Sequence, residues 1–193
     1  MTRVCLVGDR DVNLRYELLS RETARDALAT YDLAAPFANT VAVETVSLGA
    51  AVALLNDLNW YLVRFARDAF VLEPSVSETE WLSRDLAAAV RDDELPPGDT
   101  DRFLKIYGVQ EEVRADERDG DQGHADDGGP DSGDSAGEHR RGDDSDAGDP
   151  PELVEPMYVT RTGRDLPEYD LREVSDTLVV RVTEEEFGGE KQR

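Results

Sequence analysis

The side chains that could do chemistry in this 193-residue chain are mostly carboxylates and guanidiniums. There is one cysteine, Cys5, and there are two histidines, His124 and His139. Both histidines fall in a segment of disordered composition, so a catalytic triad or a His–Cys zinc site would have no rigid scaffold. Cys5 lies in a short apolar run, where an unreactive buried thiol is the simpler interpretation. We therefore predict no catalytic residue and no cofactor, and an enzyme is the less favoured class.

Two carboxylates, Asp9 and Asp11, follow the first predicted strand and precede the first predicted helix. Open α/β sheets place ligand-binding loops at that point, and two carboxylates there can hold Mg²⁺. Such a pair would support a Mg²⁺-dependent enzyme acting on a phosphorylated small molecule. The simpler alternative is that Asp11 or Asn13 caps the helix, since two acidic residues in a loop are expected in a chain that has 44.

Arg64 and Arg67 lie close in sequence to Trp60 and Tyr61. Guanidiniums beside aromatic rings can bind an anion or stack on a base. Trp60, Arg64 and Arg67 are therefore candidates for anion or partner binding. The alternative is that the two arginines pair with carboxylates at the rim of a core. The second tryptophan, Trp81, is predicted to pack inside the fold.

The net charge of the chain indicates the salt concentration of its surroundings rather than the identity of a ligand. Acidic residues outnumber basic ones by 44 to 21, the net charge is −23, and Lys105 and Lys191 are the only lysines. Molar salt shortens the Debye length to ~3 Å, so a dense coat of carboxylates is screened there. We therefore predict a halophilic protein. A GC-rich genome would explain the scarce lysines but not the net charge.

The acidity is concentrated in one segment. Residues 110–150 hold 15 acidic and 4 basic residues with 8 of the 15 glycines, and they contain no aromatic residue. Such a composition buries too little apolar surface to offset the entropy of ordering the backbone. We predict a disordered acidic linker over 110–152, between a core over 1–109 and a β-rich segment over 153–187 that docks on it. Residues 188–193 are predicted to be a disordered tail.

The pattern of apolar residues predicts the strands and helices that carry these candidate residues. Strands are predicted over 3–7 and 41–46 and helices over 13–30 and 49–55. Nearly every position of 60–72 is apolar, so periodicity does not distinguish helix from strand, and the aromatic and β-branched residues favour a strand.

Further along, Ser77 and Glu80 have the spacing of a capping box, which predicts a helix over 78–91. Thr100 is predicted to cap a short helix that runs through Tyr107. The last strands are predicted over 155–161 and 177–183. The whole predicts an α+β fold, in which a single mixed sheet with packed helices is interrupted by the long insertion.

Four stretches of sequence resemble an uncharacterised protein family of halophilic archaea. They are Asn13–Ser20, Val43–Ala50, Asn59–Phe65 and Glu80–Leu86. The resemblance covers residues 1–109 and extends to 153–187. It implies a cytoplasmic protein of unknown function and supplies no catalytic residues.

Three classes of function remain. We favour a non-catalytic regulatory or interaction domain whose sheet edge or segment 60–70 docks on an unidentified protein partner. The Mg²⁺-dependent enzyme is the alternative. Nucleic-acid binding through the arginines comes last, because the net charge opposes it. No apolar run approaches the ~18 residues of a membrane span and the first residues lack a signal-peptide pattern, so we expect a cytoplasmic protein without membrane partners.

Overall fold

Strand β1 (Thr2–Gly8) lies inside the sheet and is buried over most of its length, as its apolar sequence predicts. The structure is a computed structural model that describes residues 1–111, 149–163 and 165–189. Most of the predicted disordered linker, residues 112–148, lies outside these ranges. Six further strands share the sheet with β1: β2 (Thr40–Thr45), β3 (Ala66–Leu72), β4 (Trp81–Ser83), β5 (Phe103–Gln110), β6 (Glu152–Thr160) and β7 (Asp176–Arg181).

The sheet is mixed, with the order β2-β1-β3-β4-β7-β5-β6. The pair β4–β7 is parallel, and the other neighbouring pairs are antiparallel. The predicted α+β class with a single mixed sheet is confirmed. None of the helices in the described ranges is long and apolar enough to span a membrane. These helices are α1 (Leu14–Leu19), α2 (Glu22–Leu28), α3 (Leu48–Asp57), α4 (Asn59–Phe65), α5 (Arg84–Arg91) and α6 (Glu184–Gly189).

The sheet is strongly curled. The amide of Ala38, just before β2, donates to the carbonyl of Pro151, just before β6, at 2.9 Å. Arg67 of β3 likewise donates to the carbonyl of Leu153 in β6 at 2.8 Å. Three strands separate β3 from β6 in the sheet order, so these contacts require the sheet to bend back toward itself.

The core has an outer and an inner part on the two faces of the curled sheet, and a third, smaller buried cluster lies on β5 and β7. On the outer face, helices α1 to α5 cover side chains such as Leu6, Val71 and Leu82. The inner face carries Cys5, Phe70 and Tyr107 among a separate buried cluster. Alternation along each strand sends neighbouring side chains to opposite faces, so both faces of the central strands are buried.

Two predicted elements differ from the structure, the helix over 13–30 and the strand favoured over 60–72. The chain over 13–30 forms α1 and α2 rather than one helix, because Arg21 has extended backbone angles, φ −110° and ψ 124°, that interrupt the ladder. Residues 60–72 are neither one strand nor one helix. Helix α4 ends at Phe65, and Ala66 turns directly into β3.

The predicted helix over 78–91 is wrong at its start. Ser77 accepts the amide of Glu80 at 3.0 Å in a turn, β4 follows, and α5 is capped instead by Ser83. The helix predicted after Thr100 is also wrong. Thr100 donates to the carbonyl of Pro97 at 2.7 Å, and the chain then enters β5.

Residues at the predicted domain boundaries belong to strands β5 and β6 and to helix α6. Gln110 ends β5 and pairs with Glu152 of β6, so the insertion connects the two strands of a hairpin. Gly188 and Gly189 of the predicted tail end α6, and residues 190–193 lie outside the described ranges.

Candidate functional site

The α4 surface is formed by Trp60, Val63 and Arg64 of α4 together with Arg21. The helix is amphipathic because Leu62 and Phe65 pack into the outer core while the positions between them face outward. Trp60 and Val63 are three residues apart and are 57% and 79% exposed. These two side chains therefore form an exposed apolar patch on one face of the helix.

Two guanidiniums accompany the exposed indole. The Cζ atoms of Arg21 and Arg64 lie 5.9 and 5.7 Å from the centroid of a Trp60 ring. They also lie 5.1 and 5.8 Å from the centroid of the Phe65 ring. Edge contacts with Tyr61, at 5.1 Å, and Phe65, at 6.1 Å, further hold the indole in place. The structure therefore brings Trp60 and Arg64 together, as candidates for one site.

Arg67 does not join this surface. It lies at a bulge where the register between β1 and β3 shifts, and its Nη2 donates to the carbonyl of Leu153. Its guanidinium carbon is 5.5 Å from the Tyr107 centroid, on the inner side of the curl. The contacts of Arg64 and Arg67 thus place two candidates of one predicted site in two different locations.

Asp9 and Asp11 lie in the exposed loop between β1 and α1. The Oδ1 atom of Asp9 accepts the amide of Arg10 at 2.8 Å. No group of three or more His, Cys, Asp or Glu side chains suited to a metal occurs in the described ranges. Asn13 caps α1 by accepting the amide of Tyr16 at 2.9 Å. The magnesium site remains a prediction, and its alternative for Asn13, a helix cap, is confirmed.

A half-buried charged group lies inside the curl. Asp68 accepts a hydrogen bond from Lys105 and a second one, at 2.7 Å, from the hydroxyl of Tyr107. Burial opposes the charge of Lys105, but the Asp68 carboxylate outweighs it and raises the pKa of that ammonium. Burial and Asp68 together raise the pKa of Tyr107. Lys105 is therefore held protonated and does not act as a nucleophile at neutral pH.

A second group ties the C-terminal segment to the rest of the fold. Glu80 accepts Nη2 of Arg161 at 2.5 Å and Nε of Arg181 at 2.6 Å. Nη1 of Arg181 also donates to Thr100 at 2.8 Å. Burial raises the pKa of Glu80, but the hydrogen bonds from Arg161 and Arg181 outweigh it and hold that pKa below its usual value. Sequence analysis missed this group because each of these hydrogen bonds joins residues that are 81 or more positions apart along the chain.

Glu186 and Cys5 are also unavailable for chemistry. Glu186 is held by hydrogen bonds within the fold, and Cys5 is an unreactive thiol. Glu186 accepts the hydroxyl of Ser83 at 2.6 Å and the amide of Thr183 at 2.7 Å, yet burial keeps its pKa above the usual value. Burial and the charge of Asp68 raise the pKa of the Cys5 thiol to about 12. The interpretation of Cys5 as an unreactive buried thiol agrees with this, because the thiolate is the reactive form.

Together the fold and these groups describe an α+β domain with a curled mixed sheet and an aromatic–arginine surface on α4. Its half-buried carboxylates are used inside the fold. Residues 2–109 match the model of a family of unknown function, DUF5804, and the chain belongs to that family. Comparison with curated proteins and with solved structures finds no match. The match confirms the expectation of an uncharacterised family.

Proposed function

We propose that this protein is a non-catalytic interaction domain that docks a protein partner on the α4 surface. The observation that carries the proposal is the pair Trp60 and Val63, exposed at 57% and 79% on one face of α4 with two guanidiniums beside the indole. Tryptophan and arginine are enriched at the centres of protein interfaces, where a few such anchors supply most of the affinity.

The arginines define the chemistry of the partner. Arg64 makes no ion pair within the described ranges, and Arg21 shares its charge only with Glu17, at 3.0 Å. A cationic rim around an apolar centre complements a surface in which carboxylates surround an apolar side chain. The partner that we propose is therefore an acidic protein surface with an apolar tip.

The hydrogen bonds of the half-buried carboxylates support a binding role over a catalytic one. Asp68, Glu80 and Glu186 are committed to hydrogen bonds within the fold. Of the segment 60–70, only α4 is available, since β3 is flanked by β1 and β4. The setting that we propose is a cytoplasm of concentrated salt, and the acidic composition supports it.

Photo-crosslinking in the source cells tests the proposal. The variant Val63→p-benzoylphenylalanine places the crosslinker on the α4 surface, and the same change at Val46, which is 86% exposed after β2, is the matched control. We expect a crosslinked protein with an acidic surface from position 63 and not from position 46. The crosslink is expected to disappear when Trp60→Ala is added.

Three outcomes would contradict the proposal. One is the absence of a crosslink that depends on position 63. Another is a crosslinked protein that is unaffected by Trp60→Ala. The third is a crosslinked nucleic acid, which would favour base stacking on the indole between the arginines.

A further inference from the structure

A cleft of about 460 Å³ opens at the end of β1, away from the contacts that form the α4 surface. Asn39 builds one wall in a left-handed backbone conformation, φ 52°. Its side-chain amide donates to the carbonyls of Asp9, at 2.9 Å, and Val12, at 2.8 Å. A Cβ on Gly8 would lie 2.4 Å from that amide nitrogen, so glycine is required for this close approach. The wall is therefore fixed by the fold rather than by a mobile side chain.

Three arginines line the cleft, Arg10, Arg67 and Arg172, together with Glu152 and Glu155. Arg172 is neutralised, because its Nη2 lies 2.7 Å from Oε2 of Glu155. Arg10 makes no ion pair within the described ranges. The Nε atom of Arg67 is buried and has no hydrogen-bond partner among those residues. The cleft thus holds an excess of guanidinium in a chain whose net charge is −23.

A guanidinium donates most strongly to an anionic oxygen. An anion in the cleft would approach Arg10 and the part of the Arg67 guanidinium that lines the cleft. A phosphate group carries a larger negative charge than a carboxylate and offers acceptor oxygens in more directions. The cleft volume falls within the range of small-molecule sites.

We propose that this cleft binds the phosphate group of a small phosphorylated molecule through Arg10 and Arg67. On one side of the molecule would lie Arg10 and Arg67, which belong to the family match. On the other side would lie Glu152 and Val154 of β6. Its binding would therefore stabilise the packing of β6 and raise the unfolding temperature of the chain. The proposal is independent of the α4 surface, because none of the α4-surface residues lines the cleft.

The test is thermal unfolding of the full chain in inorganic phosphate, in AMP, and in acetate or chloride at the same ionic strength. We expect the midpoint to rise with phosphate or AMP until it saturates, and to stay unchanged in acetate. A larger effect of AMP than of inorganic phosphate would assign the ligand as a phosphate monoester. Arg10→Gln and Arg67→Gln are expected to weaken the binding by about tenfold or more. Arg25→Gln, on the exposed side of α2, is the matched control and is expected to bind as the wild type does.

An unchanged midpoint in both phosphate and AMP would overturn the proposal. So would a rise of equal size in acetate, or a rise that Arg10→Gln retains in full. Arg10 is exposed, so this variant remains informative even where the half-buried Arg67→Gln fails to fold. Loss of the α4 crosslink would leave these results unchanged, so each proposal fails on its own measurement.

Discussion

Glu80 and Glu186 are both half-buried carboxylates that hold the C-terminal segment, but their surroundings act on their charge in opposite directions. Two guanidiniums face Glu80 and lower its pKa, whereas a hydroxyl and an amide face Glu186, and burial raises its pKa. The charge therefore stabilises the fold at Glu80 and opposes it at Glu186.

The pH dependence of two substitutions is expected to differ in sign. The contribution of Glu80 is fully present above the unfolded pKa of about 4.3 and is lost as the pH falls through the lower folded value. Glu80→Gln should therefore reduce the free energy of unfolding at pH 7 by about 3 kcal/mol, because it leaves the half-buried Arg181 without a carboxylate and Arg161 with only a longer contact to Asp101, at 3.6 Å. The difference in the free energy of unfolding between the wild type and this variant should narrow as the pH falls. Urea unfolding between about pH 7 and pH 3 measures this difference, because the range must extend below the unfolded pKa.

Glu186 has a raised folded pKa, so its favourable contribution is present below about pH 4.3 and is lost as the pH rises through the folded value. Glu186→Gln keeps an oxygen that can accept from Ser83 and Thr183. It should leave the free energy of unfolding at pH 7 equal to or above that of the wild type. Glu78→Gln, at an exposed position, is the control. A large loss with Glu186→Gln at pH 7 would show that its charge is stabilising.

Part of the candidate site could be predicted from the sequence positions of single residues. Trp60 and Arg64 are four residues apart, so their proximity follows from one helical turn. Arg67 was placed with them from its sequence position, but the change from α4 to β3 and the bulge direct it elsewhere. Arg10 and Arg172 meet near Arg67 only through the strand order, and no local pattern contains that information.

At the scale of elements, prediction succeeded where one pattern dominated. Strands β1 and β2 are short apolar runs with turn residues at their ends, and the structure has both. Nearly every position of 60–72 is apolar because α4 packs on the core, carries two exposed apolar side chains as well, and is followed by β3, which is buried on both faces. Neither the helical nor the strand periodicity of apolar residues is visible in such a run. The boundary at Ala66 is set by tertiary contacts.

The two candidate caps before α5 show why the helix boundary was misplaced. Ser77 and Glu80 match the capping-box spacing, but Glu80 turns its side chain to Arg161 and Arg181. Ser83 then accepts the amide of Leu86 at 3.2 Å and begins the helix. A tertiary ion pair outweighed a local capping preference.

Substitution of the two serines separates these alternatives. Ser83→Ala removes the cap of α5 and the hydroxyl that donates to Glu186, so it should reduce the free energy of unfolding by about 2 kcal/mol. Ser77→Ala removes only turn contacts and should cost about 0.5 kcal/mol. Denaturant unfolding at pH 7 measures both. The reverse ranking would show that the helix starts at Ser77.

For the whole molecule, the main result is the position of β7. It lies between β4 and β5, near the middle of the sheet, although it comes last among the strands along the chain. The family match ends at residue 109 and so omits a strand that joins the two halves of the sheet. The insertion, by contrast, leaves from Gln110 and returns at Glu152, which face each other as a register pair.

Two deletions are therefore expected to have opposite effects. A chain ending at residue 111 should fail to fold, because β4 and β5 would both lose a pairing partner. Replacing residues 112–148 by Gly-Ser should leave a cooperative transition near the wild-type midpoint, since a shorter hairpin loop costs less entropy to close. Circular dichroism and thermal unfolding distinguish them. A folded, cooperative 1–111 fragment would contradict the role of β7.

The acidic composition predicts a salt response of the whole molecule. Repulsion among carboxylates is screened as the Debye length falls to ~3 Å near 1 M salt. The unfolding midpoint should therefore rise steadily between about 0.1 M and 2 M KCl. A midpoint that is flat or falls over this range would contradict the proposed halophilic setting.

The affinity of the crosslinked partner for purified variants tests the central claim, that the α4 surface is the binding site. Trp60→Ala is expected to weaken binding roughly 30-fold, the equivalent of a hot-spot loss of about 2 kcal/mol. Arg64→Glu should weaken it at least as much, through repulsion of an acidic partner. Val46→Ser should leave it unchanged. Equal affinities for the wild type and for Trp60→Ala would contradict the account.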